Sequence, residues 1–455
     1  MIRLSLDKAL EKYGLTRYEL AKRTGIQYQV IDNYYKNKVK RYDSYVLERI
    51  CDAMGCTEPI AMAYAAAKAR EVLGALPEKI DIVISGNIIK NVKSVVVPNT
   101  GGLKGIIAAI AAGVAVGNAD KQLEVLADVK ENEIPEIARF MDSCAMTVMK
   151  SESDKLLDID LHLYRGQDNV RLRIADFHTN IVLIEKNGET IFEAESDTAA
   201  GGETDRSVLN VREIIEFAEC VDIEDVRELL EKQIEYNLAI SEEGLHGEYG
   251  ASVGKTLLET RGEDVRVRAR AQAAAGSDAR MSGCEMPVVI VSGSGNQGMT
   301  ASLPVIVYAR DMGASHERLL RALVVSNLIT IHQKTPIGRL SAFCGAISAG
   351  CGAAAGVAWL TDGTYEAVSA TITNTLGMIS GTVCDGAKPS CATKIASAVE
   401  AGLLGFDLYE KGKGLNGGDG ILKDSVERTI ESVGQLAREG MRETDTEILD
   451  IMLDD

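Results

Sequence analysis

Three cysteines of this 455-residue chain lie in short segments that suit a metal-sulfur centre. Cys384 and Cys391 are separated by six residues that include glycine and proline, so both sulfurs could converge, and Cys344 lies in the separate segment LSAFCGA. Zinc sites usually contain CxxC pairs, which this sequence lacks. Three thiolates that hold a cubane cluster leave one iron without a protein ligand, and that iron could act as a Lewis acid. On the residues alone, buried cysteines that bind nothing are the simpler interpretation, and Cys351 is expected to be one.

A fourth cysteine, Cys56, precedes a predicted helix in the segment GCTEPIA, residues 55–61. Thr57 can cap that helix, Pro59 suits its first turn, and Glu58 is favoured at the positive end of the helix dipole. A thiol just outside a helix N-terminus has a lowered pKa, so Cys56 could be a thiolate that accepts a proton. The alternative is a small apolar side chain that only fills space.

A glycine-rich segment, SGSGNQG at 292–298, runs directly into a predicted helix over 300–310. Successive glycines at a helix start expose backbone N–H groups, which suits a carboxylate or a phosphate. The segment lacks the Lys-Ser/Thr of a P-loop, so alone it is a weak signal. An anionic amino-acid substrate would need such a cradle, to which four polar side chains could contribute: Ser292, Ser294, Asn296 and Gln297.

The secondary structure that must position these residues changes along the chain, from a mixture of helices and strands to helices alone. This change predicts an α+β multidomain protein. Residues 55–201 are predicted to form an α/β domain with a hairpin turn at Asn187-Gly188. Its helices are expected at 61–73 and from Leu103, and its β-rich runs at 80–86, 92–98, 159–165, 170–176 and 181–192.

Residues 202–455 are predicted to form a mainly helical domain, because the strand signal nearly disappears after Gly202. This domain contains Cys344, Cys384 and Cys391, so it would be the cluster-binding domain if these cysteines hold a metal-sulfur centre. Its helices are expected at 211–218, 223–240, 268–275, 319–331, 392–404 and 426–439. Residues 340–359 contain no charge and have about the ~20-residue length of a membrane span. They are mostly Ala, Gly and Ser, so we expect instead a buried helical pair interrupted by Gly345, Gly350 and Gly352, and no membrane partner.

The first 54 residues differ from the rest in charge and in pattern. Residues 1–50 carry eleven Lys/Arg and six Asp/Glu, a formal charge of +5, whereas the whole chain carries −18. The string LTRYELAKRTGIQYQVIDNYYKNK resembles the helix-turn-helix of Cro-type repressors, which implies an all-α bundle over 1–54. In such modules Gln27, Tyr28 and Gln29 would face base edges of double-stranded DNA, and Lys36 and Lys38 would meet phosphates. The alternative is a helical bundle that serves dimerisation and does not bind DNA. The sequence leaves open whether the chain forms a homodimer.

Seven strings in order carry a second resemblance, which extends from Gly55 nearly to the C-terminus. The chain resembles the L-cysteine desulfidase family, relatives of the iron-sulfur L-serine dehydratases. The strings are GCTEPIAMAYAAAKAREVLG, SGNIIKNVKSVVVPNTGGLKG, FHTNIVLIEKNGE, GSDARMSG, SGSGNQG, IGRLSAFCGA and CDGAKPSCATKIASA.

The resemblance implies a [4Fe-4S] cluster as cofactor and assigns roles to residues of this chain. It implies that Cys344, Cys384 and Cys391 hold the cluster and that Cys56 abstracts a proton. Further residues are expected to bind the substrate or to order the site: Glu58, His178, Asn180, Lys334 and Arg339.

The function that this resemblance implies is a lyase, an L-cysteine desulfidase that forms pyruvate, ammonia and sulfide by β-elimination. L-Serine dehydration is the nearest alternative, and a transcription regulator that senses cysteine or redox state through the large domain is another. Met1 leads into a charged, amphipathic stretch and the nine cysteines are scattered, so we expect a reducing, cytoplasmic compartment. The acidic balance excludes a chain whose whole surface binds nucleic acid or anionic membrane.

Overall fold

A computed structural model describes residues 58–153, 155–194, 206, 208–284, 286–338 and 341–454. The chain divides into two compact units according to its internal contacts. The described residues of the first unit are 58–194, apart from 154, and 449–454. Those of the second unit lie between 206 and 448. The first unit contains both helices and strands, and the second is mainly helical.

The first unit combines helices with one six-stranded sheet. Its helices are α1 (Glu58–Leu73), α2 (Gly86–Val92), α3 (Gly105–Val116) and α4 (Ile134–Ser143), with a 3₁₀ turn at Ala119–Glu124. Its strands are β1 (Lys79–Ile84), β2 (Ala145–Lys150), β3 (Asp158–Arg165), β4 (Asp168–Ala175), β5 (Ile181–Lys186) and β6 (Glu189–Glu193).

The strand order in the sheet is β2-β1-β3-β4-β5-β6. β1 pairs with β2 in parallel, and every other neighbouring pair is antiparallel. The predicted hairpin turn at Asn187-Gly188 is present, and both residues have the positive φ, 54° and 84°, that a tight two-residue turn requires. Strand β2 was not expected from the sequence.

The two faces of this sheet differ because side chains alternate along each strand. Ile80, Ile82 and Ile84 of β1 are fully buried on one face, in the core that also contains α1 and α3. The opposite face carries ion pairs between neighbouring strands. Asp158 of β3 accepts from Arg173 of β4 at 2.7 and 3.0 Å.

Small residues allow α1 and α3 to pack closely. A Cβ on Gly113 of α3 would lie 2.1 Å from the carbonyl oxygen of Ala63 on α1, so only glycine fits there.

The prediction of a β-rich run over 92–98 is wrong for most of its length. α2 ends at Val92, and the following residues form a single antiparallel bridge, Val96 to Lys104, on either side of a turn that contains positive φ values. That turn ends the extended backbone that the valines favour.

The second unit is helical. Its helices are α5 (Val211–Cys220), α6 (Ile223–His246), α7 (Val253–Arg261), α8 (Val265–Met281), α9 (Gly295–Asp311), α10 (His316–Ile337), α11 (Gly345–Thr361), α12 (Tyr365–Ile379), α13 (Cys391–Glu410), α14 (Val426–Gln435) and the first part of α15 (Arg442–Leu453), whose residues 449–453 belong to the first unit, with a π-helical turn at Leu436–Gly440. Several begin at a side chain whose oxygen accepts an N–H of the first turn: Asn210, Asp222, Asp264, Ser294, Ser315, Thr364 and Ser425.

Helix α11 lies at the centre of this unit and packs against α9, α10, α12 and α13. The expectation that glycines interrupt this segment is wrong, since Gly350 and Gly352 lie inside one continuous helix. A Cβ on Gly352 would lie 2.1 Å from Oγ1 of Thr330 on α10, and one on Gly350 would lie 2.7 Å from the backbone of Ala398 on α13. The glycines therefore permit close helix contacts. Within the described residues, none of the helices has the length and apolar character needed to cross a bilayer.

Candidate functional site

Cys344 and Cys384 lie on two short segments that pair with each other. Phe343 and Val383 form an antiparallel bridge. The backbone N–H groups of Cys344 and Cys384 donate to carbonyl oxygens of the opposite segment at 3.1 and 2.5 Å. The side chains of Cys344 and Cys384 also interact, since Cys384 raises the pKa of the Cys344 thiol. The structure therefore brings together two of the three cysteines that the sequence singles out.

Cys391 begins helix α13, and Cys344 occupies the N-cap position of helix α11. Sγ of Cys391 donates to the carbonyl oxygen of Gly386 at 3.4 Å. Partial positive charge at a helix N-terminus stabilises a thiolate, and two of the three cysteines have this environment.

Burial and mutual contact oppose ionisation of these thiols. The hydrogen bond with Cys384, together with burial, raises the pKa of the Cys344 thiol above its usual range. Burial also raises the pKa of Cys391, and the charge of Cys384 adds to the effect. Cys384 therefore interacts with both of the others. A bound cation would favour the three thiolates, because opposite charge lowers a thiol pKa.

Two lysines surround Asp385, the residue that follows Cys384. Lys388 and Lys394 both donate to the Asp385 carboxylate, and Nζ of Lys394 also donates to the carbonyl of Val383 at 3.0 Å. Burial would raise the pKa of Asp385, but the two ammonium groups outweigh it, so this pKa lies below its usual range. Two cations thus lie beside the thiols, Lys388 from the loop between Cys384 and Cys391 and Lys394 from helix α13.

The three cysteines are a donor set that could hold a cubane cluster. Among the described residues, no three His, Cys, Asp or Glu side chains meet at one point where a single metal ion could be held. A cubane does not need such a point, because each cysteine binds a different iron. Three interacting cysteines, two of them at helix N-termini and with lysines nearby, suit a cluster of this kind.

The glycine-rich segment forms a tight turn that leads into α9. Ser292 and Gly293 have positive φ values of 50° and 77°, and Val291 and Ser294 pair on either side of them. Oγ of Ser294 accepts from the backbone N–H of Gln297 at 3.4 Å and caps the helix. The first N–H groups of a helix have no partner within the helix, so those of Gly295 and Asn296 could serve an anion, although Gly295 itself is buried.

Gln297 links this segment to the cysteines. Its side chain is buried, 8% exposed, and lies against the backbone of Gly345, the residue after Cys344. A Cβ on Gly345 would lie 2.7 Å from both Cδ and Nε2 of Gln297. Oε1 of Gln297 accepts no hydrogen bond from any described residue. The structure therefore places one predicted substrate residue against the backbone that directly follows Cys344, a predicted cluster ligand, with an acceptor that the described residues do not use.

The end of helix α8 lies against the same turn. A Cβ on Gly295 would lie 2.5 Å from Nε of Arg280, and Nη1 of Arg280 lies 3.5 Å from Oδ1 of Asn296. Arg280 belongs to the SDARMSG string. Its guanidinium therefore adds positive charge at the start of α9.

Asp278, two residues earlier on α8, is fully buried. A Cβ on Gly250 would lie 3.1 Å from Oδ1 of Asp278 and 3.4 Å from Cβ of Pro389 in the cysteine loop. Burial raises the pKa of Asp278 to about 6, although backbone N–H groups at the start of α7 work against the shift. The carboxyl thus lies where α7, α8 and the cysteine loop approach one another.

The remaining predicted residues fall in three places. Cys56 and Arg339 lie outside the described residues, as do the predicted DNA-binding residues Gln27, Tyr28, Gln29, Lys36 and Lys38. Lys334 lies in the last turn of α10, in the second unit.

Glu58, His178 and Asn180 belong to the first unit. Glu58 begins α1 and accepts from Asn91 at 3.3 Å. His178 is half-buried in the turn between β4 and β5, where the Asn180 amide donates to the carbonyl of Ala175 at 2.9 Å. In this structure Asn180 supports the turn.

Cys351 is fully buried, as expected of a core cysteine, and burial raises its pKa to about 12. Lys388, Lys394 and Asp385 were missed by the sequence reasoning. A signal was available, because α13 has no acidic residue in its first turn and carries a lysine there, where the helix dipole disfavours one.

Comparison with known proteins places the chain in a family. The family model described as "Serine dehydratase alpha chain" matches residues 120–450, and the model described as "Cro/C1-type HTH DNA-binding domain" matches residues 5–59. A UPF0597 protein of Desulfitobacterium hafniense is 57% identical over 423 residues, which cover 93% of this chain and 97% of the relative. Relatives of the same name in Lachnoclostridium phytofermentans and Treponema denticola are 52% and 47% identical, over 88% and 92% of this chain and 96% and 99% of their own lengths. The chain therefore belongs to the serine dehydratase alpha chain family.

Proposed function

We propose that this chain is an iron-sulfur lyase that eliminates the β-substituent of a small amino acid, with L-cysteine as the substrate. The observation that carries the proposal is the pairing that brings Cys344 and Cys384 together, with Cys391 interacting, in a chain of the serine dehydratase alpha chain family. We assign the three cysteines to a [4Fe-4S] cluster. When bound, such a cluster supplies a Lewis-acidic iron with an open coordination position.

The reaction of L-cysteine with water yields pyruvate, ammonia and sulfide. The α-proton and the sulfide leave first and give aminoacrylate, which then tautomerises and hydrolyses. We assign proton abstraction to Cys56, whose position before Pro59 is one where a thiolate is favoured. This role requires the Cys56 thiol near the substrate α-carbon, and substitution by serine tests it.

The substrate carboxylate is assigned to the turn at 292–298. The N–H groups at the start of α9 and the guanidinium of Arg280 together favour an anion there. The amide of Gln297 has an acceptor that is not used by the described residues, so it can receive the substrate ammonium. Lys334, Arg339, His178 and Glu58 remain assigned to substrate binding or to ordering of the site.

The experiment that tests this function is anaerobic purification followed by iron and acid-labile sulfide analysis and by measurement of pyruvate and sulfide release. The wild-type chain is expected to be coloured, and Cys384→Ala to lose most of its iron. Cys351→Ala is the matched control, because Cys351 is buried in the same unit but lies outside the three. A colourless wild-type chain after anaerobic reconstitution with iron and sulfide contradicts the proposal.

L-Serine dehydration is the alternative, and the family name favours it. The leaving group would then be hydroxide, which is a poorer leaving group than thiolate and needs more help from a Lewis acid. Comparing kcat/KM for L-cysteine and L-serine on one preparation separates the two. A higher kcat/KM for L-serine would make L-serine the substrate, and the assignment of the cluster would stay unchanged.

A second function, DNA binding by residues 1–54, is favoured by the match of residues 5–59 to the Cro/C1-type domain. We assign Gln27, Tyr28 and Gln29 to bases, and Lys36 and Lys38 to phosphates. A gel-shift against the DNA upstream of the chain's own coding sequence, with and without cysteine, tests it. Lys36→Ala with Lys38→Ala is expected to flatten the salt dependence of binding by about 0.9 in the log–log slope for each phosphate that is no longer neutralised. Retardation by a chain that does not turn over cysteine would favour a regulator.

A further inference from the structure

The loop between Cys384 and Cys391 is tied to helix α13 by one side chain. Nζ of Lys394, in the first turn of α13, donates to the carbonyl of Val383 at 3.0 Å and also to the carboxylate of Asp385. These two acceptors stand immediately before and after Cys384. A single ammonium group on the helix that begins with Cys391 therefore contacts both neighbours of the other cysteine.

The second lysine closes the same loop from within. Lys388 donates to the Asp385 carboxylate, and its Nζ lies 3.3 Å from the Asp385 carbonyl. Cys391 in turn donates its backbone N–H to the carbonyl of Lys388 at 2.9 Å. Asp385 thus receives two cations, one from the loop and one from the helix. Their side chains are 26% and 23% exposed, so solvent screens these contacts only partly.

The lysine stands where a helix does not favour one. The first turn of α13 presents N–H groups and partial positive charge, so a cation there is unfavourable without a compensating partner. Asp385 and the Val383 carbonyl provide that compensation. Arginine would keep the charge, and methionine would keep much of the side-chain volume without it.

We propose that Lys394 is a positioning residue, which fixes Cys384 relative to Cys391 by holding Val383 and Asp385 on either side of it. The inference rests on the proposed function only in naming an iron-sulfur cluster as what the cysteines hold. Its structural part concerns the loop alone: without Lys394, residues 382–386 open more often. Its functional part is that an opened loop releases iron faster.

The test compares Lys394→Met with Lys394→Arg and with the matched control Lys411→Met. Lys411 is exposed at the far end of the same helix. Amide hydrogen exchange of the metal-free chain is measured in peptides covering 382–386 and, as a fold control, in peptides from α10. Loss of charged hydrogen bonds is expected to speed exchange at 382–386 by about tenfold in Lys394→Met. Lys394→Arg should recover part of the protection, and Lys411→Met should match the wild type.

The same variants are then reconstituted with iron and sulfide, and the rate of iron loss to a chelator is followed. Faster loss from Lys394→Met than from Lys411→Met, together with the faster exchange, supports the proposal. Unchanged exchange at 382–386 overturns it. Faster exchange with unchanged iron loss overturns its functional part. A wild-type chain that takes up no iron defeats the proposed function, whereas the exchange data still decide whether Lys394 positions the loop.

If Lys394→Met fails to fold, Asp385→Asn tests the proposal in its place. It removes the shared carboxylate charge while keeping the side-chain shape, and it is expected to speed exchange in the same residues. Unchanged exchange in that variant overturns the proposal.

Discussion

Asp278 on α8 accepts a 2.6 Å hydrogen bond from the backbone N–H of Val253, the first residue of α7. Ser252, which precedes α7, has a φ of 48° and gives no side-chain cap among the described contacts. The same oxygen of Asp278 also accepts from Gly254 at 3.3 Å. Oδ1 accepts from no group in the described part of the chain. A carboxyl from another helix therefore caps α7 and is half satisfied in a buried position.

This arrangement predicts an unusual pH dependence of stability. Burial raises the pKa of Asp278 to about 6 in the folded chain, above the ordinary value that it has when unfolded. The contribution of Asp278 to the free energy of unfolding is therefore fully present below about pH 4 and is lost as the pH rises to about 6. Asp278→Asn removes this loss and keeps an oxygen that can accept from Val253.

Urea unfolding of the metal-free wild type and of Asp278→Asn measures the effect. The variant should gain relative to the wild type by about 1.4 kcal/mol per pH unit from about pH 4 to about pH 6, and the difference should then level off. Parallel stability curves for the two proteins would contradict the assignment of a raised pKa to this carboxyl.

A second prediction concerns the ion pair on the polar face of the sheet. Asp158 is 1% exposed and accepts from two nitrogens of Arg173 and from the Ser151 hydroxyl. Arg173→Leu leaves a buried carboxylate without its cation, so a loss of about 3–5 kcal/mol in the free energy of unfolding is expected. Replacing both partners by leucine should cost less than the single change.

The pair Lys155–Asp176 in the same unit is the control, because its side chains are 41% and 48% exposed. Lys155→Leu should cost no more than about 1 kcal/mol. Chemical denaturation checks all of these values. Equal losses in the free energy of unfolding for Lys155→Leu and Arg173→Leu would show that the buried ion pair of Asp158 stabilises the fold no more than an exposed pair does.

A third prediction tests the packing of α11. Gly352→Ala is expected to lower stability by about 1–3 kcal/mol, although alanine is the better helix former. The added Cβ would lie 2.6 Å from the backbone oxygen of Ser326 as well as against Thr330, so a side-chain rotation alone cannot relieve the contact. Gly381→Ala is the control, since no described atom lies within 4 Å of its Cβ position. A thermal midpoint for Gly352→Ala at or above that of the wild type would refute the close contact.

Residue patterns predicted the long helices and the antiparallel strands because those signals are local. The run 319–331, for example, lies within α10, His316–Ile337. Strand β2 was missed because Ala145–Lys150 is a short edge strand with no buried residue, and its parallel partner is distant in the sequence. The role of glycines in α11 was misjudged, because a helix glycine that breaks and one that packs look alike until the neighbouring helix is known.

The residues of the candidate site also fall into those that the sequence indicated and those that only the structure revealed. Residue type and spacing made Cys344, Cys384 and Cys391 candidates, but only the family resemblance favoured cluster ligands over buried cysteines that bind nothing. The proposed anion cradle was indicated by its glycines. Lys394 could not be selected in this way, because its acceptors at Val383 and Asp385 depend on how the loop folds back onto α13. The sequence also could not show that the Gln297 side chain packs against Gly345, or that its Oε1 accepts no hydrogen bond from a described residue.

The last prediction uses that contact as a double-mutant cycle. Gly345→Ala places a Cβ 2.7 Å from Cδ and Nε2 of Gln297, so it should destabilise the wild-type chain. In a Gln297→Ala background the space is vacant, and the same change should cost little. The coupling energy is expected to be about 1 kcal/mol or more, within the usual range for residues that touch each other.

Gly381→Ala combined with Gln297→Ala supplies the additive control, because no described atom lies near the Cβ position of Gly381. Unfolding free energies of the metal-free proteins decide the matter without reference to turnover. Additive costs for Gly345→Ala and Gln297→Ala would mean that the amide does not lie against the residue that follows Cys344. The proposed anion cradle and the cysteines would then lack the side-chain contact by which Gln297, packed on Gly345, links the start of α9 to the start of α11.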